Sequence, residues 1–448
     1  MPPDLAESLR ELIHARTFSP KALAERLAAV HPIDIAVALQ YLDEDETLAV
    51  VKTLDDHAAA EVLDETDEDT KRAILERVDR ERLADLVDLM PPDEGADLLE
   101  LAPDEIEEVV LERVERDTAQ DIRELQRYEP DTAGGQMTTE FVALREDMTA
   151  TDAIRTLQGA VDAEQTNWVH VTDAADRLAG YVSIAQLISA PGNRHVADFM
   201  HRDVQSVTTD LDQETVARLA DHYNLQAVPV TDTRGVLKGI ITLDDVMDVM
   251  SEEASEDMFL LAGSQSVHPL SENVLLRVTK RMPWLLVTVG MGLVVMFIYS
   301  RYEPVIRAGS IWLVFFVPIV QALGGNVGIQ SSTLVVRGLA TGDIGHGRLS
   351  RVILTELAVG LTIGVLFGLL VGLAAGAIQN PRLGLVVALA IPVGVLSSSF
   401  TGTVIPLVCN RVGVDPAVTA GPFITALNDL ICLTIYFSIA SLVFIWLI

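Results

Sequence analysis

The chain has 448 residues, 49% of them hydrophobic, with 65 acids against 32 Lys and Arg and a net charge of −33. So negative a field excludes nucleic acid as a partner and favours metal cations or basic surfaces. Length suggests about three domains, and the only two cysteines, Cys409 and Cys432, both lie in apolar segments, which argues against a disulfide framework.

The chain opens Met1-Pro-Pro-Asp-Leu-Ala-Glu, with neither a basic n-region nor an apolar h-region, so no cleavable signal is expected and the acidic half should stay in the cytoplasm. Residues 1–129 read as an acidic helical N-domain. Helix starts are punctuated at Ser19-Pro20, His31-Pro32, Met90-Pro91-Pro92-Asp93 and Ala102-Pro103-Asp104, which implies a superhelix of short helices.

Residues 130–250 alternate strand and helix patterns twice over. Gly135-Gln-Met137 opens one copy, followed by Phe141–Leu144, a helix over 150–157, Trp168-Val-His-Val and Leu178-Ala-Gly180-Tyr-Val-Ser183. Phe199-Met200 opens the second, followed by 204–207, a helix over 214–222, Ala227-Val-Pro-Val and Leu237-Lys-Gly239-Ile-Ile-Thr242, offset by 63 residues at the methionines and 59 at the glycines. This pattern resembles a tandem pair of CBS domains. The resemblance implies a sensing unit that binds adenosine nucleotides such as ATP, with a Ser/Thr-x-x-Asp after the third strand holding the ribose. The second copy carries it as Thr242-Leu-Asp-Asp245, whereas the first carries Ser183-Ile-Ala-Gln186, with an amide in place of the acid.

An acid-striped helix follows, with Asp244, Asp245, Asp248, Glu252, Glu253, Glu256 and Asp257, and residues 251–270 read as a linking helix to the membrane. Asp245, Asp248, Glu252 and Glu256 fall on one face at helical spacing. Like charges ~4 Å apart repel by roughly 4 kcal/mol at an effective dielectric near 20, and a bound divalent cation reverses that sign.

Residues 271–448 carry only six acids against ten Lys and Arg, a net +4, which leaves 59 acids against 22 bases and a net of −37 in residues 1–270. Five spans meet the length criterion for crossing a bilayer: 282–299, 311–336, 352–378, 384–408 and about 417–448. Arg277, Lys280, Arg281, Arg337, Arg348, Arg351 and Arg411 fall on the inner side against Arg301, Arg307 and Arg382 outside, so the C-terminus is expected outside. The second span contains Gly324-Gly325-Asn326-Val327-Gly328-Ile329-Gln330-Ser331-Ser332 and the fourth Ser397-Ser398-Ser399 with Thr401-Gly402-Thr403, polar enough either for tight helix packing or for lining a hydrated path.

Asp429 sits inside the last span, where an ionised carboxylate costs ~2.5–3.5 kcal/mol on insertion scales and therefore faces a partner, water or an ion. Gly421, Thr425 and Asp429 recur every fourth residue on one face, with Asn428 and Cys432 beside them, and Pro422 lacks the N–H that would tie up a carbonyl one turn earlier. The donors are oxygens, suited to a hard cation. One carboxylate cannot hold Mg²⁺ alone, but two copies of Asp429 meeting across a two-fold axis could hold it with its water, which implies a homodimer with an axial pore.

The whole chain then resembles the MgtE magnesium channels, on its acidic N-domain, CBS pair, acidic linking helix, the Gly324-Gly325-Asn326-x-Gly328-x-Gln330-Ser331 motif, Asp415-Pro416-Ala417, and Asp429 with Tyr436-Phe437. The resemblance implies a homodimeric channel in the cell membrane in which Asp429 is the pore carboxylate for hydrated Mg²⁺. It also implies that Asp245, Asp248, Glu253, Glu256 and Asp257 bind regulatory Mg²⁺, with Asp93 and Asp97 as N-domain partners and Asp210 and Asp212 as CBS partners. The expected fold is multidomain: an all-α superhelical N-domain (1–129), α/β tandem CBS domains (130–250), the linking helix (251–270) and an all-α five-helix transmembrane domain (271–448). The expected function is Mg²⁺ influx gated shut by cytosolic Mg²⁺ on the acidic domains, with no phosphate-cradling Walker loop and no enzymatic activity. The alternatives are a Na⁺-coupled or other secondary divalent-cation transporter, and a membrane-anchored CBS sensor without conductance.

Overall fold

Proline and aspartate punctuation starts one short helix after another in the first 130 residues. The computed structural model describes residues 2–15, 19–160, 167–265, 274–309, 311–344 and 349–446, which fall into two units, residues 1–251 and 252–448. The N-domain helices are α1 (Pro2–Ile13), α2 (Pro20–Leu27), α3 (Pro32–Leu39), α4 (Glu44–Thr53), α5 (Asp56–Asp64), α6 (Glu68–Arg77), α7 (Arg80–Val87), α8 (Pro92–Glu100), α9 (Asp104–Leu111) and α10 (Arg116–Leu125). Ser19, Asp43, Asp55 and Asp67 cap their helices by accepting from the backbone N–H three residues on. Pro20, Pro32 and Pro92 occupy the first turn, where a missing N–H costs no helical bond.

Eight to twelve residues are too few for a helix to be stable alone, so these helices depend on stacking. α1, α3, α5, α7 and α9 stack in one row, α2, α4 and α6 in another, and α8 packs on α10, which makes a superhelix. Leu9, Leu23, Leu27, Leu39, Leu75 and Leu98 are fully buried in this stack, each contributing about 1.5–3 kcal/mol. The same core runs on into the second CBS half through Val207, Val216, Val228, Ile241 and Val249. The first CBS half closes a separate core around Leu144, Val171, Val182 and Leu187.

Each CBS half is a three-stranded sheet with a parallel and an antiparallel pair: β1 (Ala143–Arg145), β2 (Trp168–Thr172) and β3 (Leu178–Ser183), then β4 (Val207–Thr208), β5 (Ala227–Thr231) and β6 (Leu237–Thr242). Helices α11 (Ala150–Gly159) and α12 (Ile184–Ser189) belong to the first half and α13 (Gln213–Tyr223) to the second. The halves exchange their leading segments: Thr138, ahead of the first half, bridges Ile240 of β6, while His201, ahead of the second, bridges Tyr181 of β3. This exchange accounts for the two glycines in the repeat. A Cβ on Gly239 would lie 2.6 Å from the Thr138 carbonyl, and one on Gly180 would run into that of His201.

Helix α14 (Leu243–Leu261) starts earlier and ends sooner than the expected 251–270 segment, because Leu243 follows β6 directly and Gly263 adopts φ +75°; residues 266–270 lie outside the described ones. The apolar half contains α15 (Val274–Gly309), α16 (Trp312–Ala340), α17 (Leu349–Ile378), α18 (Pro381–Val412), α19 (Pro416–Ala420) and α20 (Pro422–Trp446). Among the described residues five spans are long and apolar enough to cross a membrane. The first span runs longer at both ends than its apolar window: charges at Arg277, Lys280 and Arg301 end the window but do not break the helix. α17 presents Gly360, Gly364, Gly368 and Gly372 to Ser399, Pro392 and Ala388 of α18. In lipid, where apolar surface gives no drive to associate, such close approach holds helices together.

Candidate functional site: a cavity at the last span

The last span is not one helix. It breaks at Gly421, so Pro422 becomes the first residue of α20 and no helical bond is lost to its ring. The expectation of one continuous span over about 417–448 is thereby corrected, and the Gly421 carbonyl accepts from both Thr425 N and Thr425 Oγ1 at 3.2 Å. Gly421, Thr425 and Asp429 nevertheless share one face and line a cavity of about 460 Å³ with Thr288, Met291 and Val295 of α15 and Gln321 and Ile329 of α16. Asp429 is half-buried and, among the described residues, faces no Lys or Arg. Thr288 and Gln321 were not singled out from the sequence; the signal was a polar residue isolated in an apolar run.

Asn428 is corrected too. It points away from the cavity, fully buried, accepting from Thr401 Oγ1 at 2.6 Å and pressed against Gly328. The glycine motif of α16 is the seat for this side of α20: Gly324 faces Cys432, Gly325 faces Thr425 and Gly328 faces Asn428, while the Gly328 carbonyl lies against Gly402 of α18. Packing therefore explains the glycines. Asn326 and Gln330 are exposed on the outer face of α16.

One end of the cavity is bounded by the end of α14. Leu261 and Ala262 line it, the Leu261 carbonyl meets the Gly421 Cα, and Leu260 is buried with Val336, Ala417 and Ala420. Any side chain at 421 would strike that carbonyl.

The cytoplasmic acids divide. Asp93, at the start of α8, approaches Asp245 and Asp97, and Asp245 approaches Asp248, which in turn lies near Glu65. Burial pushes the Asp93 carboxyl up to about 7, against a hydrogen bond from Thr138 and with the help of Asp245. Burial also raises Asp245, and Glu94, next to Asp93 in the chain, is raised by burial and by its hydrogen bond to Asp64. One oxygen of Asp93, Oδ1, is buried with no hydrogen-bond partner. Among the described residues, no three His, Cys, Asp or Glu converge tightly enough to hold a metal ion. Asp210 and Asp212 do not join this group. Asp212 caps α13 through Thr215 N at 3.2 Å, and the Thr208 hydroxyl holds Asp210 low. Glu253 and Asp257 are half-buried and Glu256 is exposed on the later turns of α14.

The nucleotide motif doubles as helix capping. Asp245 Oδ2 accepts from Thr242 N at 3.0 Å and Thr242 Oγ1 at 2.6 Å, and Ser183 with Gln186 forms a full capping box on α12. Gln186 thus has a structural use where the acid is missing, and its Nε2 also meets His201 at 2.9 Å, beside stacked Tyr181.

Comparison with known proteins covers each part. The family described as "Divalent cation transporter" matches residues 317–439, the "MgtE intracellular N domain" 30–131, and "CBS domain" 135–193 and 196–252. The chain is 39% identical to the magnesium transporter MgtE of Enterococcus faecalis over 72% of each chain. It is 38% identical to that of Thermus thermophilus over 72% of this chain and 73% of the relative, and 33% identical to that of Bacillus subtilis over 74% of each. The cytosolic domain of the Mg²⁺ channel MgtE in complex with ATP is similar over 56% of this chain and 100% of its own, at 35% identity and TM-score 0.52. The soluble part of a magnesium transporter matches over 57% and 100%, at 31% identity and TM-score 0.51.

Proposed function

This chain belongs to the MgtE family, and from that premise we propose that it is a Mg²⁺ channel of the cell membrane whose ion path runs past Asp429. The observation that carries the reading is a membrane-span carboxylate with no cationic partner among the described residues, lining a cavity with Thr425 and Gly421. Such a carboxylate is tolerable where water and a cation compensate it. Mg²⁺ surrenders water reluctantly, so a site with one acid, a hydroxyl and space for water suits a largely hydrated ion. A second copy brought to Asp429 across a two-fold axis doubles the charge, and a homodimer also supplies partners for the exposed Asn326 and Gln330 amides, which fare poorly against lipid. The N-terminal unit lies on the cytoplasmic side.

Gating follows from electrostatics. Asp93 and Asp245 approach one another from the N-domain and the CBS pair, and ionising both costs energy that a bound Mg²⁺ offsets. Binding there favours the arrangement in which they are close, and α14, which begins beside them and ends at Gly421, carries the bias to the cavity mouth. The ion shifts the equilibrium only by its differential affinity for the two arrangements. ATP is proposed to bind at the CBS pair, on the strength of the ATP complex of the related cytosolic domain and of Thr242-x-x-Asp245, whose Asp245 Oδ1 stays outside the capping ring among the described residues.

The test is Mg²⁺ flux by the full chain in liposomes. Asp429→Ala is expected to reduce flux to the level of empty liposomes while the protein still elutes as the same oligomer; normal flux in that variant removes the assignment.

A further inference from the structure

A second membrane acid stands away from the cavity. Glu356 on α17 does not line it and forms no ion pair among the described residues. Its Oε2 accepts from Ser331 Oγ of α16 at 2.8 Å, its backbone carbonyl accepts from Ser399 Oγ of α18 at 2.8 Å, and the two serine oxygens lie 3.3 Å apart. Ser331 is 2% and Ser399 0% exposed. Three helices are therefore tied at one point by groups that have few other partners in hydrocarbon.

One turn along, the same two helices approach closely, Gly328 of α16 against Gly402 of α18, and there Gly328 also seats Asn428 of α20. Thr401 Oγ1, next to Gly402, donates to Asn428 Oδ1 at 2.6 Å, and the next residue is Asp429. A continuous series of contacts thus links the Glu356 clamp to the backbone that carries the cavity's carboxylate.

We propose that Glu356 is a positioning residue for cation passage: by holding Ser331 and Ser399 it fixes the α16–α18 crossing on which α20 is seated, and so sets where Asp429 lies against the ion. The proposal rests on the reading that Mg²⁺ passes at Asp429. Glu356 acts as a hydrogen-bond acceptor here and not as an ion ligand, so its charge is dispensable and its oxygen is not.

The test is Mg²⁺ flux against Mg²⁺ concentration for the full chain in liposomes, repeated with Co²⁺. Glu356→Ala is expected to raise the half-saturating Mg²⁺ concentration on the order of tenfold, within the hundredfold that an ~1 Å displacement costs, and to change the Mg²⁺ to Co²⁺ ratio. Glu356→Gln, whose amide oxygen accepts from Ser331 in the same way, restores half-saturation to within about twofold, the error of additive behaviour. Ser331→Ala shifts it in the same direction as Glu356→Ala, and the double variant goes no further. A merely structural role lowers the amount of active protein, and with it maximal flux, but moves neither half-saturation nor the ratio. The proposal is overturned if Glu356→Ala leaves both unchanged, or if Glu356→Gln is as impaired as the alanine. If Glu356→Ala does not assemble, Ser331→Ala decides on the same criterion. Asp429→Ala run alongside separates the two ideas: flux in that variant sinks the ion-path reading, whereas its silence beside unaltered Glu356 variants sinks only the positioning role.

Discussion

Asp93 shows how a single residue's environment becomes a measurable property. Burial raises its carboxyl to about 7 in the folded chain from an ordinary 3.8. A raised carboxyl binds its proton more tightly folded than unfolded, so the slope of stability with pH is negative: stability falls as pH climbs from about 4 to 7 and the buried group is forced to ionise. Asp245, raised for the same reason, acts in the same direction. The detergent-purified chain without Mg²⁺ should therefore melt at a higher temperature at pH 5.5 than at pH 7.5. Adding Mg²⁺ at pH 7.5 should recover much of the difference, and Asp93→Asn should diminish both effects in a thermal melt, leaving the part due to Asp245 and Glu94. Equal melting temperatures at the two pH values in the unsubstituted chain contradict a buried Asp93. At this scale the sequence was informative where chemistry was out of place, as with Asp429, and uninformative where position decided use. Nothing in the local pattern separates Asp93, buried against Thr138, from Asp212, consumed as a helix cap. Nor could spacing alone turn Asn428 away from its neighbour Asp429, because that depends on Gly328 of another helix.

At the scale of elements, the end of α14 and the start of α20 form one joint. Leu260 is 8% exposed among Val336, Ala417 and Ala420. Leu260→Ala removes that contact and is expected to weaken the closed arrangement by about 1–3 kcal/mol, a five- to 150-fold change in its population relative to open. In liposome flux this appears as leak at cytosolic-side Mg²⁺ concentrations that shut the unsubstituted chain; flux that stays shut shows that the joint does not gate. The strands β3 and β6 were legible to the residue, since both set apolar residues around a glycine and end in Ser183 or Thr242. The break at Gly421 was not. An apolar run reads as one span whether or not its helix continues, and only the carbonyl of Leu261 shows why residue 421 has no side chain.

At the scale of the whole molecule, charge and hydropathy divide the chain into an acidic half and an apolar one, and the proposed sensing of cations falls to the first and their passage to the second. The domain order and membrane class were readable because each solvent imposes its own composition, whereas the shared core of the N-domain and the second CBS half gathers residues far apart in sequence, Leu98 and Val216 belonging to one cluster. The proposed second copy supplies partners for Asn326 and Gln330, both exposed on α16. Light scattering of the purified chain should give a dimer, and Asn326→Leu with Gln330→Leu should raise its dissociation constant, each interhelical polar contact being worth about 1–2 kcal/mol in model peptides; a monomeric unsubstituted chain contradicts the symmetric pore.

The most direct measurement is Mg²⁺ entry into liposomes containing the full chain under an imposed inside-negative potential, with neither Na⁺ nor ATP present, for the unsubstituted chain beside Asp429→Asn. A passive path at Asp429 predicts entry that grows with the potential, falls as Mg²⁺ rises on the side of the cytoplasmic domains, and vanishes in the variant. Entry that requires Na⁺, or that persists undiminished in Asp429→Asn, contradicts it.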